Sequence, residues 1–255
     1  MSFNNCLELL TKHEYDKAKF DKAILPVGST ECHGEHLPYG TDAIVAQRLS
    51  MEIAKNVGGL LVLPTISYGM SMHYAKFPIS ITLSSGTLIS VLKDVLSSLL
   101  NHNIKKLIII NGHDGNIAPI EIATREFRVI HPEIKICVLE AWWITAGKLL
   151  PRGTFAVWDG LGHAGEGETS IMLAMEPELV KMKYAKGVVP NLPSGDIEIK
   201  WLFDELTPYG ATGGPDKATK EKGEKMVKVL VDHLVTFIKE MDKNDWKYGI
   251  EKVDK

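Results

Sequence analysis

The stretch Ile24-Leu25-Pro26-Val27-Gly28-Ser29-Thr30-Glu31-Cys32-His33-Gly34-Glu35-His36-Leu37-Pro38-Tyr39-Gly40-Thr41-Asp42 constrains the fold more than any other part of the chain. It opens as an apolar strand, breaks at Gly28 and crosses a polar loop rich in carboxylates and imidazoles. It closes at Thr41-Asp42, an N-cap pair ahead of the helical pattern Ile44, Val45, Leu49, Ile53. A strand feeding a helix through a polar loop is the unit of an open α/β sheet, and ligands of such sheets bind at the carboxyl ends of the strands. Glu31, His33 and Asp42 offer the oxygen and nitrogen donors that zinc, manganese or ferrous iron accept. Taken alone, the same triplet also reads as a hydrogen-bonded polar loop.

The pattern recurs along the chain. Leu60-Leu61-Val62-Leu63 is a continuous apolar run stopped by Pro64, and Leu107-Ile108-Ile109-Ile110 is another, ending in Asn111-Gly112-His113-Asp114-Gly115-Asn116. A strand is expected over Ile134 to Leu139. Helices are expected over about 42–57, from a Thr87 cap through Leu100, over about 117–131, from the His163-Ala164-Gly165-Glu166-Gly167-Glu168-Thr169-Ser170 segment through Met175, and along the stripe Met226, Leu230, Leu234, Phe237, Met241. Residues 6–20 read as a surface helix, Ile79 to Leu83 as a small strand after a long loop, and 186–215 as irregular. The alternation predicts an α/β fold with a mostly parallel sheet covered on both faces. No repeat, low-complexity tract or linker divides residues 1–255, so one domain is expected.

Composition narrows the function. Lysine and arginine number 29 against 32 acidic residues, a net charge of −3, and no basic field recruits nucleic acid or an anionic membrane. The 3 cysteines, Cys6, Cys32 and Cys137, are odd in number and widely spaced, which argues against a disulfide framework. Met1 to Phe20 contains no apolar signal-peptide core and no window has the length of a membrane span, so a cytoplasmic location is expected. There is no Gly-rich phosphate loop, no dinucleotide fingerprint and no nucleophile elbow at Gly28-Ser29-Thr30.

In a parallel sheet all carboxyl ends share one edge, so Glu31, His33, Asp42 and His113 should converge on one site, where a carboxylate such as Asp42 could bridge two cations. His36 and His73 lie in the two loops facing that edge and serve either as ligand contacts or as structural hydrogen-bonders. Trp158, in a Gly-rich loop, is expected to wall a pocket together with His73 and the loop near Tyr68.

These segments resemble the creatininase (creatinine amidohydrolase) family. The likeness rests on Val27 to Pro38 with Thr41-Asp42, on Asn111 to Asn116, and on His163 to Ser170. Weaker matches are Ser71-Met72-His73 with Phe77-Pro78, Gly210 to Pro215, and Ala218 to Gly223. The resemblance implies a three-layer α/β/α fold, two divalent metal ions (zinc, manganese or ferrous iron) and a homo-oligomer, commonly a hexamer. It makes Glu31 and His113 ligands of one metal, His33 of the other, Asp42 the bridge and His163 the general acid. Substrate contacts are expected from His36, Ser71, His73, Asp114 and Trp158. Two positions depart from the family, Asp114 standing where creatininase has an aromatic residue around its substrate. Gly115 stands where creatininase has a metal-binding glutamate, and either Glu168 or a water is expected to fill the gap. The implied activity is hydrolysis of a C–N bond in a small cyclic amide such as creatinine. Relatives that deformylate a pyrimidine nucleotide or open another ring define the alternatives, and a metal-stabilised oligomeric scaffold is the non-catalytic one.

Overall fold

The computed structural model describes residues 5–191 and 199–247. Four parallel strands, β1 (Lys22–Val27), β2 (Leu60–Val62), β3 (Lys106–Asn111) and β4 (Lys135–Leu139), form a sheet in the order β2-β1-β3-β4. The register pairs Ile24 with Val62 and Ile108, and Ile108 with Cys137. Successive side chains leave a strand on opposite faces, and β1 and β3 are apolar on both. Ile24, Leu60, Ile108 and Ile110 enter the core under α2 (Thr41–Ala54), α5 (Trp142–Leu149), α6 (Glu166–Met175) and α7 (Lys220–Lys243). Leu25, Leu61, Leu107 and Ile109 enter the core under α3 (Ser85–Asn101) and α4 (Ile117–Ile130). Each fully buried Leu or Ile contributes roughly 1.5–3 kcal/mol relative to exposure, so both faces of the sheet must be covered. The fold is the three-layer α/β/α arrangement that the alternation predicts.

Several local expectations are corrected. The surface helix over 6–20 is shorter: α1 (Lys12–Lys17), capped by Thr11, follows a single 3₁₀ turn. Ile79 to Leu83 forms only isolated bridges, Thr30 to Ile81 and Gly69 to Thr82, because this segment crosses the strand ends instead of joining the sheet. The cap of α3 is Ser84, whose hydroxyl accepts from the Thr87 N–H at 3.2 Å. Thr41 and Asp42 lie inside the first turn of α2, with Gly40 at the cap position and the Thr41 hydroxyl donating to Pro38 O at 2.7 Å. Helix α5 has no expected counterpart in the sequence. Part of the irregular 186–215 stretch lies outside the described residues. Among the described residues, no helix is long and apolar enough to cross a membrane.

Two contacts place the site. The Asn116 side chain donates to Gly28 O at 2.9 Å and accepts from Met70 N at 3.0 Å, which ties the long loop after β2 over the ends of β1 and β3. Gly112, just past β3, lies so close to α2 that a Cβ there would come 2.2 Å from the Asp42 carbonyl oxygen. That approach lays His113 beside Asp42.

Candidate metal centre

Glu31, His33, Asp42, His113, His163 and Glu168 meet above the carboxyl ends of β1 and β3. Three overlapping sets could each hold a cation with ligand atoms within 4.8 Å of one another: Glu31/Asp42/His113, His33/Asp42/Glu168 and Glu31/His33/His163. Glu31 and His33 are 0% exposed and Asp42 and His113 3%, so these charges are held out of water. Burying several carboxylates costs several kcal/mol each unless cations or donors compensate.

The hydrogen bonds identify the atoms left for a cation. His33 Nδ1 donates to Glu31 O at 3.1 Å, which leaves Nε2 facing Asp42 Oδ1 at 2.9 Å. His113 Nε2 donates to Met70 O at 3.1 Å, which leaves Nδ1 at 3.2 Å from both Glu31 Oε1 and Asp42 Oδ2. Those two oxygens are buried and accept no hydrogen bond. The second Glu31 oxygen accepts from Ser29 at 3.0 Å, and Ser29 in turn shares a short hydrogen bond with Ser71. A ring nitrogen tied to a backbone carbonyl fixes the tautomer and aims the other nitrogen at a metal. The donor set therefore fits one or two divalent cations, with Asp42 common to two of the sets.

The electrostatics agree. Burial opposes a charge on His33, yet the Asp42 carboxylate overrides it and lifts its pKa to about 9. His113 is likewise raised well above its ordinary value by Glu31 and Asp42 against the pull of burial. Despite burial, the neighbouring imidazoles hold Asp42 and Glu31 below the usual carboxylate range. Protons here stand in for the positive charge a cation would bring. Glu168 differs: burial pushes its pKa up to about 7, with partial relief from His33. One Glu168 oxygen accepts from Ala164 N, so the residue also ties down the turn before α6.

His163 Nε2 donates to Cys32 O at 2.7 Å, and its Nδ1 lies 3.7 Å from Glu31 Oε1. Burial and the positive charge of His33 lower its pKa to about 3, so its resting form is neutral. Its ring packs 4.6 Å from Tyr74 and 4.9 Å from Phe203. His73 and Asp114 line a cavity of about 880 Å³ that opens above Asp42, His113, His163 and Glu168. Ser71 is buried and its hydroxyl sits 3.3 Å from His113 Nε2, behind the ligands. His36 is buried too, 2.9 Å from the Thr169 hydroxyl, and does not line the cavity. Trp158 stands on a left-handed turn at φ 52°, 41% exposed, and is also absent from the lining, as is Tyr68. The aromatic wall is made instead by Tyr74, Trp143, Trp201 and Phe203. Of these, Trp143 lies in the first turn of α5, just past β4.

The chain is similar to known proteins over most of its length. The chain is 30% identical over 235 residues to a "Creatinine amidohydrolase" from Pseudomonas putida, covering 85% of this chain and 88% of that protein. A "Mycofactocin precursor peptide peptidase" from Mycobacterium ulcerans (strain Agy99) is 28% identical, covering 84% and 83%. A "3-dehydro-scyllo-inosose hydrolase" from Thermotoga maritima is 28% identical, covering 87% and 78%. Two solved structures superpose over 93% of this chain and 98% of their own: a mutant creatininase of "Zn-Zn type" at TM-score 0.77 and 28% identity, and a structure described as "Creatininase Mn" at TM-score 0.78 and 27% identity. Residues 8–238 match the family model described as Creatininase: Creatinine amidohydrolase, and the chain belongs to this family of hydrolases acting on carbon–nitrogen bonds.

Proposed function

We propose that the protein hydrolyses a C–N bond of a small cyclic amide, using two divalent cations held in the sets Glu31/Asp42/His113 and His33/Asp42/Glu168. The observation that carries the reading is the pair of buried oxygens, Glu31 Oε1 and Asp42 Oδ2, that face ring nitrogens and accept no hydrogen bond. Bound zinc, manganese or ferrous ions supply Lewis acidity that polarises a carbonyl and brings the pKa of water down to roughly 7.

The remaining chemistry belongs to the chain. His163 commits its Nε2–H to Cys32 O, which leaves Nδ1 as the atom able to exchange a proton with the reacting groups once cations take the place of the His33 charge. It accepts that proton from the attacking water as the new C–O bond forms. It then returns the proton to the departing nitrogen as the C–N bond breaks, a role worth about 10²–10⁴ in rate. His163 thus starts the cycle as a base and finishes it as an acid. Asp114 and His73 border the same cavity and orient the substrate, while Ser71 steadies His113 from behind.

A scaffold with purely structural metal is disfavoured by the cavity, since structural sites are closed by protein ligands. The relative named as an inosose hydrolase gives a second enzymatic reading, opening of a carbocyclic ketone over the same cations. A panel of creatinine, hydantoins, lactams, formamides and a carbocyclic ketone, assayed with metal-loaded protein, separates the two. Turnover of the ketone alone removes the amide reading and keeps the metal hydrolase.

A further inference from the structure

The cavity changes character from floor to mouth. Among its lining, Asp42, His113 and Glu168 are buried and charged, whereas Met72, Leu161, Trp143, Ile144 and Trp201 are apolar and half-buried or exposed, with the exposed Lys200 beside them. Met72, Leu161 and Ile144 are 49%, 39% and 41% exposed, so apolar surface that water would otherwise cover is gathered around one opening. Apolar side chains gathered in one concavity beside a few convergent polar groups are the usual make-up of a ligand pocket. A volume of about 880 Å³ lies in the range of pockets for drug-sized ligands and far exceeds a bare five-membered ring.

We propose that this outer compartment is a specificity subsite, and that the substrate is a cyclic amide bearing an aromatic or branched aliphatic group seated against Trp143, Trp201 and Ile144. The inference rests on the reading that a ring amide is cleaved at the floor. Its occupant is part of the substrate because the apolar lining is continuous with the floor in a single cavity. The polar end of such a molecule meets the cations, and the apolar end is desolvated at the mouth. Each additional buried methylene should then improve binding about fourfold.

The test uses unsubstituted, 5-methyl, 5-isopropyl and 5-benzyl hydantoin. Affinity is measured calorimetrically on chelator-treated protein, and kcat/KM on metal-loaded protein. Affinity should rise along the series, and Trp201→Ala should shrink the benzyl-to-unsubstituted ratio by roughly tenfold or more in both assays. A flat affinity series overturns the subsite even if every hydantoin is hydrolysed. A graded series without turnover supports the subsite and removes the amide-cleaving reading instead. If Trp201→Ala leaves the ratio intact but dissociates an oligomer in sedimentation, the outer wall is an interface between copies and the proposal falls.

Discussion

A Cβ placed on Gly115 would lie 2.1 Å from the carbonyl oxygen of Met70, so this backbone admits no side chain at position 115. The same Cβ would come 2.6 Å from His113 Nε2, the nitrogen that donates to that carbonyl. The glycine is therefore tied to how the Met70 loop grips His113, at the position where the resemblance to creatininase leads one to expect a ligand glutamate.

Restoring that glutamate should fail. Gly115→Glu must displace Met70 or rotate His113, and overpacking of this kind costs typically 1–3 kcal/mol. The variant is expected to melt at lower temperature and to bind less metal than the parent. A calorimetric scan together with elemental analysis decides it. A stable variant with a full metal complement would show that the loop yields easily.

Glu168 is the proposed replacement ligand in the set with His33 and Asp42, and Glu168→Gln separates its two proposed tasks. The amide oxygen can still accept from Ala164 N, so the turn before α6 is preserved. What is lost is the negative charge shared with His33 and Asp42. Metal content is expected to fall from two ions per chain to one, with little change in thermal stability. Two ions retained would reduce Glu168 to a cap.

His163→Ala removes a side chain whose pyrrole-type N–H is spent on Cys32 O and whose Nδ1 faces the cavity floor. Turnover should drop about 10²–10⁴-fold, with metal content unchanged. Loss of metal in step with activity would instead make His163 a ligand in the Glu31/His33 set. The two outcomes are distinguished by elemental analysis of the same preparation used for the assay.

Much of this was legible in the sequence. A strand that ends in polar residues announces its own site, and Glu31, His33 and His113 follow β1 and β3 directly. Asp42 was legible because it opens a helix. Glu168 was ambiguous because a carboxylate near a helix start can cap or ligate, and here it contacts both kinds of partner. Helix α5 was hidden because Ala141 provides no capping oxygen and Trp142-Trp143 are only moderate helix formers. Trp158 looked like a pocket wall from its glycine-rich setting, yet a left-handed turn carries it away from the cavity lining. Trp201 takes that role from a stretch with no periodicity, and only tertiary folding brings it there.

The metal-free protein should respond to pH in a definite sense. His33 has its folded pKa raised from 6.5 to about 9, so its contribution to stability is complete below pH 6.5 and disappears as pH rises towards 9. Glu168 has its folded pKa raised from 4.5 to about 7, so its contribution fades over that lower window with the same sign. Chelator-treated protein should therefore show a falling Tm between pH 6.5 and 9. With zinc or manganese present, the ligands must be deprotonated for binding, and the decline should weaken or reverse. Parallel slopes with and without metal would contradict the assignment of this cluster as the metal centre.

The last prediction concerns Glu166, two residues from Glu168 but outside the ligand sets. Its carboxylate is 0% exposed and accepts from Ala156 N and Val157 N at 2.8 Å each and from Lys222 Nζ at 2.5 Å. It thereby fastens the segment leading to His163 onto α6 and α7. Lys222→Met removes the side-chain cation paired with Glu166 and leaves the buried carboxylate to two backbone donors. Breaking a fully buried pair costs about 3–5 kcal/mol, and the Lys222 side chain is 22% exposed, so about 2–3 kcal/mol is expected. Adding Glu166→Gln to that variant removes the stranded charge and should recover part of the loss. The effect on catalysis should be on kcat more than on KM, because the segment carries His163 while Trp143, Ile144 and Trp201 of the apolar wall lie outside it. A double-mutant cycle in denaturant, with kinetics on the same four proteins, reads both. An unchanged Tm in Lys222→Met would show that the backbone donors alone hold Glu166, and additivity across the cycle would show that the two side chains do not act together.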